Sequence, residues 1–152
     1  MTNKNQKGFS LVELLVVVII IGIIAAIAIP SLLASRRAAN EASAISSLRT
    51  IHSAQITYFG TNGANTNYAT DLPTLNTAGL IDPALSSGSK SGYTLTLTNG
   101  ASTYCANAAP TTPGTTGSNY FGVSVDGVIY KKASALTCAA GALTITGASP
   151  IQ

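Results

Sequence analysis

An uninterrupted apolar run at residues 14–29, LLVVVIIIGIIAAIAI, constrains this chain more than any other feature. A helix built from it has no polar face, so protein or lipid must enclose it. Widened to residues 9–35, the stretch gains a single charge, Glu13. A helix over that span is roughly 40 Å long, against about 30 Å of bilayer hydrocarbon. The unbroken core is shorter than the roughly 18 residues of a clear spanning segment, so a buried core helix is the competing reading. A chain of 152 residues has sequence for one domain and little left over to wrap such a helix. Membrane insertion is therefore the physical expectation. Lys4 and Lys7 precede the run and favour a cytoplasmic start, with export of the residues beyond the helix.

The same layout also suits an ordinary secretory signal, with a basic region, an apolar stretch and a small-residue cleavage site near Ala34. That reading gives Glu13 no task. A carboxylate at the edge of an apolar helix is costly unless it lies at the interface or meets a counter-charge, and the nearby basic flank leaves both open.

Residues 7–30, KGFSLVELLVVVIIIGIIAAIAIP, resemble the signal and helix of type IV pilins and of the pseudopilins of type II secretion. The resemblance rests on a short basic leader, Gly8–Phe9, a glutamate five positions into the mature chain, and an apolar run that ends near Pro30. It implies that a prepilin peptidase cuts between Gly8 and Phe9 and that Phe9 is then N-methylated. A residue without Cβ at Gly8 lets an enzyme approach the backbone closely, although a plain hinge would also use glycine. The resemblance further implies that Glu13 pairs with the terminal amine of a neighbouring subunit during assembly. Burial of an unpaired charge costs several kcal/mol, which makes such a pair chemically sensible; snorkelling to the interface is the simpler role. Gly22 weakens a helix by about 1 kcal/mol, and Pro30 removes a donor and crowds the preceding turn. Both mark a place to kink or melt, and in the resembling family this region is extended in filaments.

Beyond Pro30 the alanine-rich stretch to Phe59 favours helix, with Ala38, Ala42, Ile45, Leu48, Ile51 and Tyr58 at three- and four-residue spacing. Arg36 and Arg37 fall on the exported side, against the usual charge bias, and face lipid headgroups, neighbouring subunits or solvent. From Gly60 the chain turns polar and turn-rich, and the segments beginning at Asp71 and Ala78 read as short docking pieces without regular structure. Residues 93–98, YTLTLT, alternate as a strand; residues 120–125 and 128–132 flank Asp126–Gly127 as a hairpin; residues 142–146 add an edge strand. The expected fold is α+β, a long N-terminal α-helix packed on a small antiparallel sheet. Its parts are a leader at 1–8, a transmembrane or filament-core helix at 9–35, an amphipathic continuation at 36–59 and an extracellular head at 60–152.

Cys105 and Cys138 lie in the polar half without a CxxC motif, and His52, the only histidine, is far away in sequence, so zinc has no support. In an oxidising compartment a disulfide is expected, closing a loop of roughly 34 residues and stabilising the fold by about 4 kcal/mol on the chain-entropy estimate; two reduced, buried thiols are the alternative. Asp71, Asp82 and Asp126 are too dispersed for a calcium loop. Charge gives no sign of nucleic-acid binding: the eight bases less Lys4 and Lys7 leave six against five acids, a net +1. His52 reads as a packing or surface residue, and Tyr58 and Phe59 as anchors of the helix to the head. No metal, cofactor or catalytic group is expected, so the chain reads as a polymerising subunit and not an enzyme. The resemblance implies a homopolymer of pilin subunits, an inner-membrane assembly platform driven by an ATPase, minor pilins as further partners, and passage from the inner membrane to a pilus on the cell surface. A secretion pseudopilin and a membrane-tethered binding module are the alternatives.

Overall fold

The computed structural model describes residues 8–100 and 102–151. All of the expected leader except Gly8, with Lys4 and Lys7, lies outside the described residues. The chain divides into two units, Met1–Ser35 and Arg36–Gln152. Helix α1 (Leu11–Thr61) contributes to both.

In the first unit the helix is apolar on every side, and its large side chains stand exposed on the single chain, from 79% for Leu11 to 47% for Val16. Pro30 lies inside α1. Having no N–H, it leaves the carbonyl of Ala26 without its usual donor.

The second unit is an α+β layer structure, as the sequence suggests. The later part of α1 buries Ala44, Ser47, Leu48, Ile51, Ala54 and Gln55. Leu48 and Ile51 were expected on this face, and Ile45 and Tyr58 pack partly against it. Ala38 and Ala42 are exposed, so the stripe sits further round the helix than apolar spacing alone suggests. Ser47 and Gln55 complete the buried stripe and are invisible to a count of apolar residues.

Against this face lies a six-stranded antiparallel sheet of β1 (Ser89–Lys90), β2 (Tyr93–Asn99), β3 (Tyr104–Pro110), β4 (Tyr120–Ser124), β5 (Ile129–Lys132) and β8 (Ser149–Ile151), in that spatial order. Between β5 and β8 the chain forms a separate ribbon of β6 (Cys138–Ala139) and β7 (Ala142–Leu143). The expected edge strand at 142–146 is thus short and belongs to this ribbon, not to the main sheet. Tyr93, Leu95, Ala106, Ala108, Phe121, Val123 and Ile129 share one core with the helix residues, following the two-residue alternation of strands.

Strand β3, central in the sheet, was not expected from its sequence YCANAAP. Alanine, asparagine and proline carry little strand preference. The structure supplies the reason for small residues. Ala106 and Ala108 are buried in the core, while Cys105 on the opposite face is buried too.

The segments expected to lack regular structure form two short helices, α2 (Leu72–Thr77) and α3 (Pro83–Ser86). Each begins with an aspartate cap followed within two residues by proline. Asp71 Oδ1 accepts from the Thr74 N–H at 2.8 Å, and Asp82 Oδ1 accepts from the Leu85 N–H at 2.5 Å.

Candidate functional site

At the amino end Gly8, Phe9 and Ser10 are non-helical, and α1 starts at Leu11. The Ser10 N–H donates to Glu13 Oε2 at 2.9 Å. This is the returning half of a capping box, in which the third helical residue reaches back to the cap residue's N–H. Glu13 also lies in the first turn, where the helix dipole favours negative charge. The spacing Ser10-x-x-Glu13 carried that signal in the sequence. Phe9 is 79% exposed, and nothing lies within 4 Å of a Cβ built on Gly8 or on Gly22. An apolar helix that displays all its side chains, with one anchored carboxylate at its start, can bury itself only against lipid or other helices.

The head is fastened to α1 by polar contacts that the sequence did not disclose. Arg37 Nη1 donates to the Gly114 carbonyl at 3.0 Å, and Asn40 Nδ2 to the Thr116 carbonyl at 2.8 Å. Glu41 Oε1 accepts from the N–H groups of Ser118 and Asn119 at 2.8 and 3.2 Å, and its Oε2 accepts from Asn119 Nδ2 at 3.0 Å. Together they pin the loop at residues 111–119 to the helix. Further along, buried Gln55 makes a two-way amide pair with Ala69, donating to its carbonyl at 3.0 Å and accepting from its N–H at 2.9 Å.

His52 is a packing residue. Its Nδ1 meets the Tyr104 hydroxyl, and its ring lies against Gly127, where an added Cβ would come within 2.9 Å of Nε2. Gly127 has φ of 73°, so the Asp126–Gly127 turn needs glycine for its backbone as well as for space. Burial raises the Tyr104 phenol well above the ordinary tyrosine value, with nearby Tyr68 and Asp126 adding to the effect. Phe59 stacks on Tyr68 with centroids 4.7 Å apart, and Tyr68 meets Tyr104 at 4.8 Å, so Phe59 does anchor the helix to the head.

Cys105 and Cys138 are bonded to each other. The bridge holds the β6–β7 ribbon on the sheet face opposite α1. There a Cβ on Gly122 would meet Leu143 Cδ1 at 2.7 Å, and Asn107 Nδ2 donates to the Leu136 carbonyl at 3.4 Å. The three aspartates stay apart, two capping short helices and Asp126 holding its turn through the Val128 N–H at 3.1 Å. Among the described residues no three His, Cys, Asp or Glu side chains gather as metal ligands.

Comparison with known proteins agrees with this geometry. The prokaryotic N-terminal methylation motif matches residues 3–29. The type IV wide pilus major component PilA4 of Thermus thermophilus is 33% identical over 134 residues, covering 88% of this chain and 93% of that protein. The type IV major pilin protein PilA of Myxococcus xanthus is 34% identical over 70 residues, 46% of this chain and 32% of that protein. The type II secretion system core protein G of Escherichia coli is 30% identical over 89 residues, 59% of this chain and 61% of that protein. No solved structure matches the chain at a significant level. The relative from Thermus thermophilus, matched at 33% identity along nearly its whole length, together with the methylation motif, leads to one assignment. The chain belongs to the type IV pilin family.

Proposed function

We propose that this chain is the structural subunit of a type IV pilus, made as a membrane-anchored precursor and polymerised through α1. The observation that carries the reading is the helix itself: residues from Leu11 to Leu33 expose their apolar side chains on the single chain, so assembly must supply what covers them. In the membrane lipid covers them, and in a filament the same helices of other copies do. Because lipid is as apolar as the helix, close packing and polar pairing must drive the exchange.

Processing begins at the amino end. A prepilin peptidase cuts between Gly8 and Phe9, and N-methylation of Phe9 comes next. Glu13 offers its charge to the amine of a neighbouring subunit. Gly22 and Pro30 let the intervening helix bend or unwind as copies pack. An ATPase-driven platform in the inner membrane supplies the work of extraction, and minor pilins join the major subunit. The finished filament lies outside the cell, where adhesion, twitching motility or DNA uptake would use it.

Intact-mass measurement on filaments sheared from producing cells, with and without reductant, tests this. Abundant chain beginning at methylated Phe9, lighter by two hydrogens before reduction, is the expected result. Processed chain confined to the cell envelope would instead favour a minor pilin or a secretion pseudopilin, the second being the reading to which the similarity with core protein G points.

A further inference from the structure

Arg36 and Arg37 are the first charges after Glu13. Covalent continuity alone fixes their level when the apolar helix spans a bilayer. From the start of α1 at Leu11 to Ser35 the helix is roughly 38 Å long, close to the about 40–45 Å that separates the outer limits of the two headgroup layers. Two guanidinium groups therefore arrive among headgroups on the exported side, where basic residues are ordinarily scarce.

Their chemistry is unspent. Arg36 is exposed. Arg37 is half-buried and uses one nitrogen on the Gly114 carbonyl at 3.0 Å, out of the five N–H donors that a guanidinium carries. Among the described residues the one ion pair is Lys90 with Asp82, so no carboxylate among them forms an ion pair with either arginine. The nearest acid, Glu41, is occupied by Ser118 and Asn119. The loop that Arg37, Asn40 and Glu41 hold in place contains no charged residue and exposes Thr112 and Thr115. The loop's own residues bring no charge that would repel an anion.

We infer that Arg36, Arg37 and the loop pinned beside them form a collar for the phosphate groups of anionic phospholipids, which sets the depth of the precursor in the bilayer. Arginine suits the task because its planar fork donates to two phosphate oxygens at once, while its stem lies along acyl chains. Each basic residue near an anionic surface strengthens attachment about fivefold. The collar rests on the membrane-anchored reading above.

The test is native mass spectrometry of the full-length precursor released from nanodiscs of equal phosphatidylglycerol and phosphatidylcholine. The wild-type chain should carry phosphatidylglycerol about 25-fold in excess, about fivefold for each arginine. Arg36→Gln, which spares the Arg37–Gly114 hydrogen bond, should lose about fivefold of that preference, and Arg36→Lys should keep most of it. Inorganic phosphate added at millimolar concentration should leave the excess unchanged, whereas displacement by it would mean a site for free phosphate and overturn the lipid collar. Equal lipid excess in wild type and in the Arg36→Gln/Arg37→Gln chain would also overturn it. If that double variant keeps its lipid but forms fewer filaments, the arginines serve a neighbouring subunit. A wild-type chain that fails to enter nanodiscs at all would overturn the membrane-anchored reading together with the collar.

Discussion

The Ser10 N–H holds Glu13 by a hydrogen bond that a neutral amide oxygen accepts as well, whereas a neighbouring amine requires negative charge. Glu13→Gln should therefore keep the protection of the Ser10 amide against hydrogen exchange while filament yield collapses. Glu13→Ala should lose both. Normal yield from the glutamine variant would remove the charge from the assembly step. In the head, the phenols of Tyr93 and Tyr104 are both raised far above the ordinary value by burial. A raised native pKa means that folding favours the neutral phenol. The associated stability is whole below pH about 10, where the unfolded phenols titrate, and is lost as pH rises beyond it. Ultraviolet-monitored titration should show two tyrosines that ionise only as the sheet unfolds; six phenols titrating together in the folded protein would contradict the packing of both rings.

At the scale of elements, Gly22 is one weak point of α1 besides Pro30. Gly22→Ala meets no atom of its own chain within 4 Å and should raise helix stability in detergent by about 1 kcal/mol, read by hydrogen exchange across residues 18–26. Glu41→Ala should cost about 1–3 kcal/mol, since it strips the N–H groups of Ser118 and Asn119 of their acceptor. A shifted denaturation midpoint with faster exchange in the loop at 111–119 is the result to look for. The elements legible in the sequence obey the same physics. The apolar run, strand β2 and the Asp126–Gly127 hairpin announce themselves through composition, alternation and a turn dipeptide. Strand β3 stayed hidden because its buried positions are filled by Cys105, Ala106 and Ala108, small residues without the β-branched or aromatic signature of a strand. The helices α2 and α3, of six and four residues, are too short for any periodicity, yet Asp71 and Asp82 before their prolines were a legible capping signal. The clamp at Arg37, Asn40 and Glu41 had no signal at all, because its partners are backbone groups some seventy-five or more residues away.

For the molecule as a whole, the Cys105–Cys138 bridge spans 33 residues and ties the ribbon to the central strand of the sheet. Reduction should lower stability by about 4 kcal/mol on the chain-entropy estimate, measured as the denaturant midpoint with and without reductant. An unchanged midpoint would mean that the ribbon is held by Leu136, Leu143 and Asn107 without help. The strand order carries a consequence for how the protein is made. From β1 to β5 each strand pairs with its predecessor, and only the ribbon interrupts before β8 joins β5. A chain threaded across a membrane from its anchored end could therefore lay down its sheet in the order of synthesis. Each arriving hairpin finds its partner already present on a helix that came out first. Within the sheet, little of the pairing waits on distant sequence, and the sulfur atoms are the stitch that closes the work behind it.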